Sequence, residues 1–419
     1  MRVLQGTRLF QTLSNQVSNE FSLLNTRTGK HLIINAEAAS IFHSLNRSSC
    51  GIKLWFLHIF PYYRSFFSEF KKEGFLVKTS KKTDVFFCPK YKKNPLSALN
   101  IELTNYCNLD CVHCYGSFGK PKKSYFITHN QVVSLFRELD ELNTSEITLT
   151  GGECTINPEF EKIALSILDH GYKLWIMTNG LETKKIISFA EKAKQYHYNI
   201  KISLDGFKTT HNSIRNNLFS YDNVIYLLEY FKNTENVQVY LSSILMRDNY
   251  DEYEAFKEQI EEKYPNIIHT TDLIFPSGNA VTNLNHSFTI SDLKEIAQKY
   301  SFVFRSKEAR KNGHRCTGGI SQATLMSDGR LKICNPACDD KFFFKNNVFE
   351  TGIIRAWEDC GTNIERIRNE KNKETIDCIK CTQKNSCITV DCRVLANLYY
   401  SDTNRSSPIT CFITKGCFE

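Results

Sequence analysis

Three cysteines lie within one short stretch of the sequence, Cys107-Asn-Leu-Asp-Cys111-Val-His-Cys114. The stretch directly follows residues 99–103, an apolar run that is typical of a β-strand. Three thiolates can ligate three irons of a cubane cluster and leave the fourth iron open, whereas a ferredoxin loop supplies a cysteine to every iron. The alternative is a zinc knuckle or a chance grouping of cysteines. The stretch thus predicts an iron–sulfur centre with one open iron.

The Cys-x3-Cys-x2-Cys spacing resembles the signature of the radical S-adenosylmethionine (SAM) enzymes, and Tyr115 matches the aromatic residue that commonly follows it. In that family the open iron chelates the amino and carboxylate groups of SAM. One electron from the cluster then cleaves SAM to a 5′-deoxyadenosyl radical. The resemblance implies a catalytic [4Fe-4S] cluster on Cys107, Cys111 and Cys114, with SAM as cofactor and an external electron donor similar to flavodoxin or ferredoxin.

The composition is that of a soluble globular protein of two or three domains, with 419 residues, 41% hydrophobic and 23% charged. No signal-peptide pattern opens the sequence, and the most apolar window, residues 54–60, is too short for a membrane span. We therefore expect a cytoplasmic protein without a membrane partner, in which most of the sixteen cysteines ligate metal. The interleaved basic and aromatic residues of a nucleic-acid platform are missing.

Residues 1–85 form a small predicted unit of two strands and helices. Residues 21–35 read as two strands joined by a turn at Thr28-Gly29, and helical spacing begins at Ala36. This pattern resembles the PqqD-like recognition element, a winged-helix fold that binds the leader of a ribosomal precursor peptide as an added strand. A generic winged helix of purely structural use is the alternative.

Residues 86–98 form a predicted basic linker that contains Pro89 and Pro95. The net charge of +8 is locally dense just before and within it. We favour a solvated linker, and the alternative is a surface that attracts an acidic peptide. The lysines concerned are Lys71, Lys72, Lys78, Lys81, Lys82, Lys90, Lys92 and Lys93.

Strand and helix patterns alternate across residues 99–300 and predict an α/β fold with a parallel sheet and right-handed crossovers. One helix has a capping box at Thr128 and Gln131, and another opens at Asn157-Pro158 and closes at Gly171. The order resembles the partial (β/α)6, TIM-like barrel of radical SAM enzymes. The predicted strands are residues 101–104, 146–150, 173–177, 199–204, 237–245 and 267–275.

Polar and glycine residues follow several of these strands, at the edge where parallel sheets bind ligands. Singly each motif is weak, but their order and position strengthen the set. By resemblance, the Gly-Gly-Glu motif holds the SAM amino group, Asn and Ser contact the ribose or carboxylate, and an arginine pairs with the carboxylate. The predicted cofactor-binding residues are Tyr115, Gly151, Gly152, Glu153, Asn179, Ser203, Asp205 and Arg215.

Ten cysteines lie between positions 316 and 417 and resemble the SPASM domain of peptide-modifying radical SAM enzymes. That resemblance, over residues 301–419, implies two auxiliary [4Fe-4S] clusters. Four residues separate Cys387 from Cys392 where the family usually has three. Two structural zinc sites are the alternative. The first cluster would use Cys316, Cys334 and Cys392, with Cys338 as a plausible fourth ligand, and the second Cys378, Cys381, Cys387 and Cys411.

These features together predict a peptide maturase that acts on a ribosomally made precursor and forms a crosslink. The phrases around Cys107 and Glu153 look most similar to those of enzymes that join a cysteine sulfur to an α-carbon. Carbon–carbon crosslinking, or another radical modification of a peptide or protein, uses the same architecture and remains open. A non-catalytic, zinc-stapled peptide adaptor is a third alternative, although it has no use for the Gly-Gly-Glu motif or Arg215.

Overall fold

A computed structural model describes most of the chain, with one small hydrophobic core near the amino terminus and one large core beyond it. In the described part, no helix is long and apolar enough to cross a membrane. The described residues are 2–3, 7–11, 20–47, 61–73, 75–77, 86–87, 94–119, 121–289, 292–299, 316–370, 375–382, 391–409 and 411.

A four-stranded sheet in the order β4-β3-β2-β6 forms the centre of the amino-terminal part, and β1 pairs separately with β5. As predicted, β3 and β4 are antiparallel and joined by a turn, in which Gly29 has a φ of 67°. The elements are β1 (Arg2–Val3), β2 (Thr7–Gln11), β3 (Glu20–Asn25), β4 (His31–Asn35), α1 (Ala36–Arg47), α2 (Pro61–Lys72), β5 (Leu76–Val77) and β6 (Phe86–Phe87).

Aromatic side chains fill the core between this sheet and its helices. Phe42 of α1 packs edge-on against Phe70 of α2 with 4.9 Å between ring centroids, and Phe75 closes the cluster. Each buried aromatic ring removes a large apolar area from water, which stabilises so small a unit. The strand Phe86–Phe87, at the start of the predicted linker, pairs with β2 and so belongs to this sheet.

Six parallel strands follow and lie side by side in chain order from β7 to β12, which confirms the predicted parallel sheet. Helices connect them. The elements are β7 (Ala98–Glu102), α3 (His129–Glu141), β8 (Glu146–Thr150), α4 (Phe160–His170), β9 (Lys173–Thr178), α5 (Thr183–Lys192), β10 (Tyr198–Ser203), α6 (Lys208–Arg215), α7 (Ser220–Phe231), β11 (Val237–Leu245), α8 (Tyr253–Lys263), β12 (Ile268–Leu273), α9 (Asn279–Thr282) and α10 (Asp292–Lys299).

The local signals for helix ends are largely confirmed. Thr128 and Gln131 form the predicted capping box of α3, and Gly171 closes α4 with a φ of 91°. The predicted opening of α4 at Asn157-Pro158 is wrong, because α4 begins at Phe160. Asn157 instead donates side-chain hydrogen bonds to the carbonyls of Leu103 and Ile127, which ties two neighbouring loops together.

The carboxy-terminal part extends the barrel sheet to eight strands, which the sequence patterns did not predict. Strand β13 pairs in parallel with β7, and β14 folds back on β13. The Asn100 side chain donates to the Thr324 hydroxyl at 3.2 Å across this junction. The elements are β13 (Gln322–Leu325), β14 (Leu331–Lys332), α11 (Val348–Thr351), α12 (Ile353–Glu358), α13 (Thr362–Asn369), α14 (Ile376–Ile379) and α15 (Arg393–Tyr400).

Arg8 connects the amino-terminal sheet to the barrel. Its Nη2 donates to Asp140 Oδ1 at 2.6 Å and to Thr144 O at 3.0 Å, and its guanidinium lies 3.8 Å from the ring centroid of Tyr172. His170 Nε2 also contacts Asp140, at 2.9 Å. Burial raises the pKa of Asp140, but the His170 hydrogen bond and the Arg8 charge outweigh it and lower that pKa. The carboxylate is therefore ionised at neutral pH.

Candidate functional site

The predicted site residues gather at one edge of the barrel because the strands that precede them are parallel neighbours. The cysteine loop follows β7, Gly151 and Gly152 follow β8, Asn179 follows β9, and Asp205 follows β10. Carboxyl ends of parallel strands meet at the same edge, where such folds bind ligands. Residues that are far apart in the sequence therefore lie close together in the fold.

The three cysteines of the loop are free thiols that lie near one another. Cys111 is buried, while Cys107 and Cys114 are half-buried. Burial raises the pKa of Cys107, and it raises the pKa of Cys111 to about 11 although the nearby Arg215 charge lowers it. Thiols so shielded ionise readily only when a metal compensates the charge, which fits ligands of an iron–sulfur cluster.

Gly151 and Gly152 let the loop after β8 pack against the backbone that leads into the cysteines. Gly151 has a φ of 137°, and a Cβ there would lie 2.4 Å from Thr104 O. A Cβ on Gly152 would lie 2.2 Å from Tyr106 O. Glycine is therefore required at both positions by close approach to the chain itself.

The Glu153 carboxylate is already engaged by the protein. Oε1 accepts hydrogen bonds from Thr155 N at 3.1 Å and from the hydroxyls of Thr155 and Thr178, and Oε2 accepts from Asn179 N at 2.7 Å. Burial raises the pKa of Glu153 despite these donors. In this structure the carboxylate joins the ends of β8 and β9.

Asn179 continues this network to the cysteine loop. Its side-chain amide donates to Asn108 Oδ1 at 2.8 Å and lies 3.7 Å from Cys107 Sγ. Ser203, the last residue of β10, is half-buried and in register with Ser242 of β11. Asn179 thus contacts the cluster loop directly, and Ser203 stays a predicted cofactor contact.

Arg215 forms a buried ion pair with Asp205. Its Nε donates to Asp205 Oδ2 at 2.6 Å, and its Nη1 lies 3.9 Å from Cys111 Sγ. Burial raises the pKa of Asp205, but the charge of Arg215 is among those that outweigh it and lower that pKa. His211 Nδ1 accepts from Asp205 N at 3.0 Å, and burial lowers the pKa of His211 to about 3, so this imidazole is neutral. Asp205 therefore anchors the arginine that was expected to reach SAM.

Tyr115 lies between the cysteine loop and the carboxy-terminal cysteines. Its ring packs edge-on against Phe118 with 5.6 Å between centroids. Burial raises its pKa, and the neighbouring charges that act in the same direction include those of Glu102, Cys114 and Cys338. Glu102 of β7 in turn pairs with the buried Lys332 of β14 at 2.9 Å, across the intervening strand β13. Tyr115 thus faces both groups of cysteines.

Three carboxy-terminal cysteines come together as the first predicted auxiliary set. Burial and, to a smaller extent, the nearby Cys316 raise the pKa of Cys392 to about 11. Cys334 is close enough to both to interact with them electrostatically. Cys316 N also donates to Asp391 O at 3.3 Å, next to Cys392 in the chain. Cys338, the plausible fourth ligand, is exposed.

The second predicted set is described only in part, since Cys387 lies outside the described residues. Cys381 N donates to Cys378 O at 3.1 Å, and Cys411 N donates to Ser407 O at 3.1 Å. The Cys378 thiol contacts Ser406 at 3.3 Å. Across the described part of the chain, no group of three or more His, Cys, Asp or Glu side chains is arranged so that it could hold a single metal ion.

Some cysteines belong to none of the predicted ligand sets. Cys154 is completely buried, and its thiol donates to Met177 O at 3.2 Å. Cys50, Cys88 and Cys417 lie outside the described residues.

Sequence reasoning missed residues 277–279, which pack on the cysteine loop. The signal was present, because Pro276-Ser-Gly-Asn279 follows the sixth strand as the other motifs follow theirs.

Comparison with known proteins places the same region in a family. Residues 101–260 match the radical SAM superfamily. The mycofactocin maturase MftC of Mycolicibacterium smegmatis is 28% identical over 278 residues, which cover 62% of this chain and 69% of that protein. The sporulation killing factor maturation protein SkfB of Bacillus subtilis is 26% identical over 169 residues, or 39% of each chain.

Among solved structures, SuiB of Streptococcus suis bound to the precursor peptide SuiA superimposes with a TM-score of 0.65. The alignment covers 98% of this chain and 100% of SuiB at 15% sequence identity, so the likeness is one of fold. The cysteine loop and the Gly-Gly-Glu turn both fall within the matched residues 101–260. Residues 101–260 are a radical SAM domain, and the chain is an enzyme with a [4Fe-4S] cluster and SAM as its cofactors.

Proposed function

We propose that this enzyme is a maturase of a ribosomally made precursor peptide, and that it crosslinks a cysteine sulfur of that peptide to a carbon. The observation that carries the proposal is the second group of cysteines beside the first. Ser277 contacts both the Tyr115 carbonyl and the Cys338 thiol, at 3.1 and 3.4 Å. A peptide at the mouth of the barrel would therefore meet two metal centres. The relatives MftC and SkfB, both named as maturation proteins, support the same class of reaction.

Cys107, Cys111 and Cys114 would hold the catalytic cluster, and the strand ends around Gly151, Asn179 and Ser203 would hold SAM. When bound, these cofactors supply a 5′-deoxyadenosyl radical that takes a hydrogen atom from the peptide. The chain orients them. Arg215 places positive charge beside Cys111, and Asn179 donates toward Cys107, and both contacts favour the thiolate form of the ligand.

The SPASM assignment gives the carboxy-terminal cysteines a role in the second half of the reaction. Cys316, Cys334 and Cys392 would hold one auxiliary cluster, and Cys378, Cys381, Cys387 and Cys411 the other. An auxiliary centre would accept the electron released as the new bond closes, or ligate the substrate thiolate. Cys338 is the residue that decides between these roles, because as a fourth ligand it would close the site to substrate. An external flavodoxin-like or ferredoxin-like protein would reduce the catalytic cluster.

The amino-terminal sheet is the proposed leader-binding unit. Within the described residues β4 is the outer strand of its sheet, and an extended peptide would bind along its edge as an added strand. Ile33 is 55% exposed on this strand, whereas Ile34 is buried. Alternate side chains therefore face the core and the solvent, as they must on a strand that offers one face to a partner. Helix α2 would form the other wall, and Lys30, paired with Glu73 at 2.8 Å, links the two walls.

Proline substitutions in the full-length protein test this binding mode. Neighbouring residues of an antiparallel strand direct their N–H groups alternately toward the partner strand and away from it. We therefore expect one of Leu32→Pro and Ile33→Pro to abolish an outward donor and weaken leader binding at least tenfold while the sheet remains folded. Threonine at the same positions keeps the N–H and serves as the control. Equal leader affinity in all folded variants contradicts strand addition.

The catalytic assignment has its own test, independent of the leader. Replacement of Cys107, Cys111 and Cys114 by alanine should abolish formation of 5′-deoxyadenosine from SAM under dithionite while the carboxy-terminal iron remains. A triple variant that still releases 5′-deoxyadenosine contradicts the site. The presence of stoichiometric zinc in the carboxy-terminal part would instead favour the adaptor-like use of those cysteines.

A further inference from the structure

The segment that follows β12 forms hydrogen bonds with the backbone of the cysteine loop. Asn279 N donates to Cys114 O at 2.8 Å. The Asn279 side-chain amide donates to Cys111 O at 2.9 Å and to Asp110 Oδ1 at 3.1 Å. Asn279 thus donates to the backbone carbonyls of both Cys111 and Cys114, and these bonds do not involve the sulfur atoms.

Gly278 brings this segment closer to the loop than any side chain would allow. It has a φ of 58°, and a Cβ would lie 2.3 Å from Cys114 O and 2.4 Å from Tyr115 O. Such distances are well inside van der Waals contact, so the backbones of the two loops are in direct contact here. The packing fixes their separation.

Ser277 extends the contact to the carboxy-terminal cysteines. Its hydroxyl donates to Tyr115 O at 3.1 Å, since a carbonyl can only accept, and its oxygen lies 3.4 Å from Cys338 Sγ. The side chain is buried, with 7% of the residue exposed. A single hydroxyl therefore touches the loop of the catalytic cysteines and a thiol of the other group.

We propose that residues 277–279, the β12 clamp, are positioning residues that fix the geometry of the cysteine loop, and that Ser277 sets its place relative to Cys338. The contacts with the loop do not depend on any substrate. Only the link to Cys338 rests on the auxiliary centre of the proposed function. Because Asn279 and Ser277 bind the loop through its carbonyls, they act on the cluster by holding its ligands in place.

Amide hydrogen exchange of the full-length, cluster-free protein tests the clamp without any activity measurement. Asn279→Asp keeps the size of the side chain but removes the amide donor of two hydrogen bonds. We expect exchange in residues 107–118 to become about thirtyfold faster, as the loss of two hydrogen bonds worth about 1 kcal/mol each implies. Exchange in β7, β8 and β9 should stay unchanged, which shows that the barrel remains folded.

Matched variants separate the clamp from general loosening. Thr282→Ala removes a hydroxyl that donates to Asn279 O at 2.9 Å, within the same segment, and should leave the loop unchanged. Ser277→Ala should loosen the loop, and Ser277→Thr, which keeps the hydroxyl, should restore it. An Asn279→Asp loop that exchanges at the wild-type rate overturns the proposal.

The reconstituted enzyme provides a spectroscopic readout of the same geometry. With SAM added, the electron paramagnetic resonance signal of the reduced catalytic cluster should differ between Ser277→Ala and wild type at equal iron content, and Ser277→Thr should match wild type. Identical signals in all three proteins would contradict a positioning role. If exchange is faster in the variants but the wild-type enzyme modifies no peptide, the clamp is supported and the maturase function is refuted.

Discussion

Replacement of Arg215 by methionine tests whether the main role of this arginine is to pair with the buried Asp205. Its Nε lies 2.6 Å from Asp205 Oδ2, and Asp205 is completely buried. At an effective dielectric constant of about 20, attraction over that distance amounts to about 6 kcal/mol, much of which offsets the cost of burying both charges. Methionine leaves the carboxylate without its cation, and breaking a buried pair costs about 3–5 kcal/mol. Ile244 N still donates to Asp205 Oδ1 at 2.9 Å, so we expect about 3 kcal/mol, the lower end.

Urea unfolding of the cluster-free protein, followed by circular dichroism, measures this loss in the absence of SAM. The double variant Arg215→Met with Asp205→Asn removes the stranded charge and should recover more than half of the lost free energy of unfolding. A single variant as stable as wild type, with only its SAM affinity reduced, would refute the structural role. That result would favour the role that the resemblance implies, in which Arg215 binds the SAM carboxylate.

Three further predictions concern other parts of the molecule. Arg8→Met should cost about 3 kcal/mol at neutral pH, because Asp140 loses a buried partner. Since the folded-state pKa of Asp140 lies below its usual 3.8, the wild-type advantage should be present above that value and be lost as the pH falls through the folded pKa, in urea unfolding at several pH values. Reconstituted protein should bind about twelve irons, and about eight without the three catalytic cysteines, by metal analysis. Gly152→Ala should reduce cluster incorporation because its Cβ meets Tyr106 O, whereas alanine at the exposed Ser124 should not.

Local patterns predicted much of the barrel from sequence. Residues 146–150 and 237–245 were predicted as strands with the bounds that β8 and β11 have, because alternating and β-branched residues report burial directly. The eight-stranded sheet was not predicted. Thr324 meets Asn100 across 224 positions of sequence, and nothing local encodes which edge a distant hairpin joins.

The site was predictable in its residues more than in its roles. Strand-end position identified Glu153 and Asp205, since topology alone brings such residues to one edge. Arg215, at the end of helix α6, was identified by its resemblance to the SAM-binding arginine of the family. Their hydrogen-bond partners depend on packing across several elements, so the sequence could not show that these side chains bind one another. Ser277 and Asn279 carried no family signature, although their place after a strand was the same signal.

Mass spectrometry of the precursor peptide after co-expression tests the central claim most directly. The candidate substrate is a small cysteine-rich peptide encoded beside this enzyme. With the wild-type enzyme, the peptide should lose two hydrogen atoms for each bond formed, and fragmentation should place each new bond at a cysteine sulfur. With Cys107, Cys111 and Cys114 replaced by alanine, its mass should be unchanged. A peptide of unaltered mass with the wild-type enzyme, in cells that load it fully with iron, would contradict the maturase function.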